Sequence, residues 1–114
     1  MIEKYFKEEN IVLDFRETDY ERGSFISGYY STILKYEEKV LIYYQLYEYP
    51  FNVCYAISDD GGITFKKPKN NFILKNSLAS NNFSAFIDTN SNAKTKFKAI
   101  GGSHVGKDHA FHKN

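Results

Sequence analysis

The most specifically placed ionisable group in the sequence is Asp60, in Ser58-Asp59-Asp60-Gly61-Gly62-Ile63-Thr64-Phe65. A carboxylate at this point of a tight turn can accept hydrogen bonds from backbone N–H groups that a strand ladder cannot reach. The hydroxyls of Ser58 and Thr64 can brace it, Gly62 allows a positive φ, and Phe65 can pack the turn onto a sheet. Two other carboxylates stand out. Glu21 lies just upstream of the first predicted strand, where a loop charge reads as solvated. Asp88, in Phe86-Ile87-Asp88-Thr89-Asn90, falls at the end of a predicted strand and reads as an Asx-type acceptor that caps the next turn. His109 and His112 have H-x-x-H spacing with His104 and Asp108 nearby. That spacing faces one direction only on a helix, and Gly106 and the polar tail oppose one, so no metal site is expected. Nor is any cofactor.

The elements that position these groups are strands. Residues 27–35 (SGYYSTILK) are rich in Tyr and β-branched residues, and 36–38 form a short polar turn. Residues 39–47 (KVLIYYQLY) are almost continuously apolar, which predicts a strand covered on both faces. After Tyr49-Pro50, residues 52–58 form a third strand. Val53, Tyr55 and Ile57 share one face, and the small residues Cys54, Ala56 and Ser58 imply a close neighbour on the other. Cys54 therefore reads as a packed thiol. The Asp60 turn leads to a fourth predicted strand at 63–67, ended by Pro68. Four strands with short turns in about forty residues have the size and wiring of a propeller blade. An Asn-rich linker follows at 69–82, then strands at 83–88 and 97–101 of a second, unfinished unit that runs with its polar tail over 83–114. Residues 1–23 precede the first blade (24–68), with one apolar run at 11–15 that reads as a strand.

Composition bounds the function. One domain at most fits 114 residues, and ten Tyr and ten Phe without Trp favour strands while supplying flat amphipathic faces. A formal net charge of +1 with no basic stripe argues against nucleic acid, and Lys94, Lys96 and Lys98 read as a solvated face. A single cysteine excludes a disulfide framework within the chain. No apolar run approaches a membrane span, and the N-terminus lacks a signal-peptide core, so the expectation is a cytoplasmic chain without a membrane partner.

Two resemblances sharpen this reading. The pattern S-x-D-x-G-x-T-[W/F], carried by Ser58, Asp60, Gly62, Thr64 and Phe65, resembles the Asp-box of sialidases and other propeller proteins. There it joins the third and fourth strands of a blade, away from the central site. The stretches 28–45 (GYYSTILKYEEKVLIYYQ), 54–68 (CYAISDDGGITFKKP) and 81–102 (NNFSAFIDTNSNAKTKFKAIGG) together resemble uncharacterised proteins related to the five-bladed glycosidases of the invertase, levanase and arabinanase group. The resemblance implies an all-β chain with about one complete and one incomplete four-stranded antiparallel blade of a five-bladed propeller. It also implies a carbohydrate-related role.

Such glycosidases need paired carboxylic groups flanking the sugar. The resemblance places the first near Gly28 or Tyr29 and a supporting one near 82–84, where this sequence has no carboxylate. Glu21 is the one substitute, if the loop 20–26 folds over the axis. Catalysis by the chain alone is not expected. The alternative is a non-catalytic module for sugar binding or protein interaction, using Tyr29, Tyr30, Asn81 and Asn82 at the strand entrances. A sialidase-like unit would need an arginine cluster, and only Arg16 and Arg22 exist. With so few blades, the expectation is assembly with copies or a partner, or a fragment whose further blades are missing.

Overall fold

The computed structural model describes residues 11–24, 27–47, 52–75 and 81–102. Among these residues the chain forms one short helix, α1 (Asp19–Gly23), and six strands. The strands are β1 (Ser27–Tyr36), β2 (Lys39–Leu46), β3 (Asn52–Ser58), β4 (Phe72–Leu74), β5 (Asn81–Ile87) and β6 (Phe97–Gly102). β1 to β4 make an antiparallel sheet in chain order, and β5 and β6 make a separate antiparallel pair. The chain is mostly β, and neither sheet closes on itself. No helix among the described residues is long and apolar enough to cross a membrane.

Period-two side-chain alternation sorts the four-stranded sheet into two faces, and both are covered. On one face Ile42, Tyr44, Leu46, Cys54 and Ala56 are buried beneath Leu13, Phe15 and Tyr20 from the N-terminal segment, together with Phe65 and Phe72. The small side chains of Cys54 and Ala56 leave room for those rings. On the other face Val53, with Leu34, Tyr43 and Leu74, packs against Phe83 and Ala85 of β5. β2 thus buries residues on both sides, which is why it is apolar at almost every position. Each large apolar side chain buried here stabilises the fold by about 1.5–3 kcal/mol.

Three local expectations are corrected. Residues 11–15 form no strand: Ile11 is 89% exposed, Leu13 and Phe15 pack into the core, and Phe15 lies in a turn. Their side chains alternate as a strand's would, but their backbone has no ladder. Second, 63–67 is not a continuous strand. Pairing with β3 begins at a single bridge, Ile57 with Lys66, breaks over the turn containing Pro68, and resumes when Asn71 O accepts from Tyr55 N at 2.9 Å. β4 then pairs Phe72 with Cys54 and Leu74 with Val53. Proline has no N–H to donate, so the interruption falls where the ladder would need one. The fourth strand therefore lies inside the stretch read as a linker. Third, α1 precedes β1. Thr18 caps it, accepting from Glu21 N at 3.3 Å while the Glu21 carboxylate accepts from Thr18 N at 2.9 Å.

Candidate functional site

The entrances of β1 and β5 are built alike. In β1 the register steps from Ser27 opposite Leu46 to Tyr29 opposite Gln45 and then Thr32 opposite Tyr43, so two extra residues are inserted. Gly28 (φ 78°) and Tyr30 (φ 42°) take the left-handed backbone that these bulges need. β5 shifts once, between Asn81 opposite Gly102 and Ser84 opposite Ile100, and there Asn82 (φ 51°) is left-handed. A tyrosine held at positive φ is costly, and such strain persists only where the surroundings fix it. Phe15 does part of that fixing. A Cβ on Gly28 would lie 2.5 Å from its ring, so the N-terminal segment rests directly on the bulge.

The two bulged entrances meet in a shallow cleft of about 220 Å³ lined by Tyr30, Ser31, Thr32, Asn82, Phe83 and Ser84. Thr32 Oγ1 donates to Phe83 O at 3.2 Å, tying the strands together beneath it. Tyr30 is 46% exposed, with its ring centroid 4.0 Å from that of Tyr29, and Tyr29 in turn meets the Tyr47 ring edge-on at 6.0 Å. The hydrogen bond between the two tyrosines, with some loss of hydration, holds the Tyr29 hydroxyl above its ordinary pKa. Of the four residues predicted at the entrances, Tyr30 and Asn82 line the cleft together. Tyr29 supports Tyr30, and Asn81 begins β5 beside Asn82. Among the described residues the lining offers aromatic, amide and hydroxyl groups and no carboxylate.

Glu21 is elsewhere, and it is not a solvated loop charge. It is fully buried on α1, where Oε1 accepts from the Tyr44 hydroxyl at 2.6 Å and Oε2 from Lys67 Nζ at 2.9 Å. Burial alone would raise the carboxyl. Hydrogen bonds from Lys67, Tyr44 and the Thr18 N–H, with the charge of Lys67, outweigh it and leave the pKa below the ordinary value. The network continues. Asn71 Nδ2 donates to Tyr44 Oη and to Tyr55 O, both at 3.0 Å, and Asn71 Oδ1 accepts from Tyr20 at 2.5 Å. Burial and the bond to Glu21 hold the Tyr44 hydroxyl far above the usual tyrosine range. Both Glu21 oxygens are engaged, so the carboxylate is occupied in joining the N-terminal segment to the sheet.

Asp60 sits in an exposed turn and accepts from Ile63 N at 3.0 Å and Thr64 N at 2.9 Å through Oδ1, and from Thr64 Oγ1 through Oδ2. Ser58 Oγ donates to Asp60 at 2.7 Å and accepts from Gly62 N at 2.8 Å. Thr64's hydroxyl and N–H, then Ser58, hold the Asp60 carboxyl well below the usual range. Gly62 has φ 97° and Phe65 packs against the core cluster of Ile42, Tyr44, Leu46, Cys54 and Ala56. Asp88 accepts from Asn90 N at 2.9 Å and pairs with Lys98, which holds its pKa down. Burial pushes the Cys54 thiol up to about 12, so it is not a ready nucleophile. Among the described residues no group of His, Cys, Asp and Glu is placed to hold a metal ion, and His104, Asp108, His109 and His112 lie outside those residues.

Lys67 and Tyr44 were not legible as partners of Glu21, nor Asn71 as the partner of Tyr44. The signal that was available is Thr18-Asp19-Tyr20-Glu21, a capping-box sequence that announces α1. Comparison of the chain with protein-family models, curated proteins and solved structures finds no match.

Proposed function

We propose that this chain is a partial, glycosidase-like propeller unit that binds neutral carbohydrate at the cleft between the β1 and β5 entrances and does not hydrolyse it unaided. The observation that carries the reading is the meeting of Tyr30 and Asn82, each at positive φ, in one cleft with Ser31, Thr32 and Ser84. An exposed ring offers a stacking face, while the amide and hydroxyls suit sugar hydroxyls. Among the described residues the lining contains no carboxylate, so none of them offers a proton donor or a nucleophile for the glycosidic bond.

The hydrogen-bonded turn around Asp60 supports an Asp-box reading of 58–65. The sequential order of β1 to β4 and the packing of β5 and β6 against that sheet support a blade followed by the start of another. In this reading further strands, from copies or a partner, complete the architecture. The buried reduced Cys54 suits the cytoplasm.

The test is chemical-shift perturbation by neutral oligosaccharides alongside an aryl-glycoside hydrolysis assay. Shifts centred on Tyr30 and Asn82 without turnover support the proposal. Turnover by the purified chain, or shifts unaffected by Tyr30→Ala, overturns it.

A further inference from the structure

We infer that the free edge of β6 is a docking site for an extended polypeptide strand in which apolar residues alternate with acidic ones. The inference rests on the sheets and their charges, not on the carbohydrate reading. Among the described residues β6 pairs only with β5. Because Asp88 N donates to Lys96 O at 2.7 Å, antiparallel alternation directs the backbone groups of Lys98 and Ile100 towards β5 and those of Phe97, Ala99 and Gly101 away from it. An unpaired ladder therefore runs along β6, every residue of which is exposed.

Beside this edge lies an apolar groove of about 340 Å³. Leu34, Tyr43 and Ile73 of the four-stranded sheet form one wall, and Phe83, Ala85 and Phe97–Ala99 form the other. Phe97 is 46% exposed and Ile73 44%. A strand laid along β6 would complete the ladder and place every second side chain against this groove, so those side chains should be apolar.

Charge selects the occupant. Lys94 and Lys96 are exposed immediately before β6 and make no ion pair with any described residue, while Lys98 stands at the rim. Among the described residues the one carboxylate paired with this group, Asp88, is already matched to Lys98. An acidic strand gains attraction from that rim, whereas a second copy docking through the same strand brings the same positive charge.

The experiment uses the labelled peptide Glu-Val-Glu-Val-Glu-Val-Glu, its Lys-Val counterpart, and fluorescence anisotropy at low and raised salt. The acidic peptide should bind, and binding should weaken with salt and fall about tenfold in Lys94→Glu/Lys96→Glu. Ala99→Pro removes one outward N–H without touching the β5 ladder and should also reduce it. No binding, equal binding of both peptides, or indifference to the lysine double variant overturns the inference. So does sedimentation that shows a dimer dissolved by Ala99→Pro, since the edge would then be covered by a second copy.

Discussion

Glu21 and Lys67, 46 positions apart, form a buried ion pair at 2.9 Å, with side-chain exposures of 0% and 6%. Lys67 also donates to Asp14 O and pairs with Glu17 at 3.2 Å, so a single ammonium gathers three points of the N-terminal segment. That segment carries Leu13, Phe15 and Tyr20 onto the sheet. The pair therefore acts as the polar fastening of an otherwise apolar cover.

Removing one partner should leave the other charge buried and unmatched. Lys67→Ala is expected to destabilise the chain by about 3 kcal/mol in urea denaturation. Lys67→Met combined with Glu21→Leu should cost less than the sum of the two single changes, because the apolar pair leaves no orphan charge. A loss under about 0.5 kcal/mol for Lys67→Ala would show that the pair is solvated.

Acid should loosen the same fastening. Glu21 and Asp60 both have folded pKa values below their reference values of 4.5 and 3.8. A carboxyl lowered by folding contributes stability that is complete above its unfolded pKa and disappears as pH falls through its folded pKa. Urea midpoints should thus be flat from neutral pH to about pH 5, decline below 4.5, and continue to decline beyond 3.8. A midpoint that rises on acidification contradicts this sign.

Asp60 and Asp59 are neighbours with unequal work. Asp60 organises its turn through Ile63, Thr64 and Ser58, whereas Asp59 makes one exposed ion pair with Lys39 at 3.5 Å. Asp60→Ala should lower the melting temperature by roughly 5 °C, and Asp59→Ala should change it by no more than about 1 °C. Equal effects would mean that the turn does not depend on the carboxylate.

Gly28 couples the cover to the cleft. It has φ 78°, and a Cβ would meet the Phe15 ring at 2.5 Å. Gly28→Ala should destabilise by about 2 kcal/mol, combining backbone strain with a displaced ring. It should also shift the amide resonances of Tyr29 and Tyr30. Pairing it with Phe15→Ala relieves the contact but not the strain, so partial recovery is the expected outcome.

What the sequence disclosed follows from what is local. The spans of β1, β2 and β3 were written in Tyr and β-branched runs bounded by turns, β5 and β6 in short Phe- and Ile-bearing runs whose edges were less exact, and the Asp60 turn in residues whose partners lie within four positions. β4 was hidden because Pro68 and the Asn pair around it read as a linker, although pairing resumes beyond them. The alternation of Leu13 and Phe15 is real but serves packing without a ladder, which periodicity cannot distinguish. The burial of Glu21 was illegible because its cation is remote in the chain. The cleft was half visible: Tyr30 and Asn82 could be named, but not the backbone inversions that bring them together.

Sugar binding without cleavage is measured most directly by titrating the 15N-labelled chain with neutral oligosaccharides, followed by chromatography of the sugar after prolonged incubation. The expected result is saturable shifts at Tyr30, Thr32, Asn82 and Ser84, abolished by Tyr30→Ala, with the sugar recovered intact. Cleaved sugar, or shifts confined to residues outside this cleft, would contradict it.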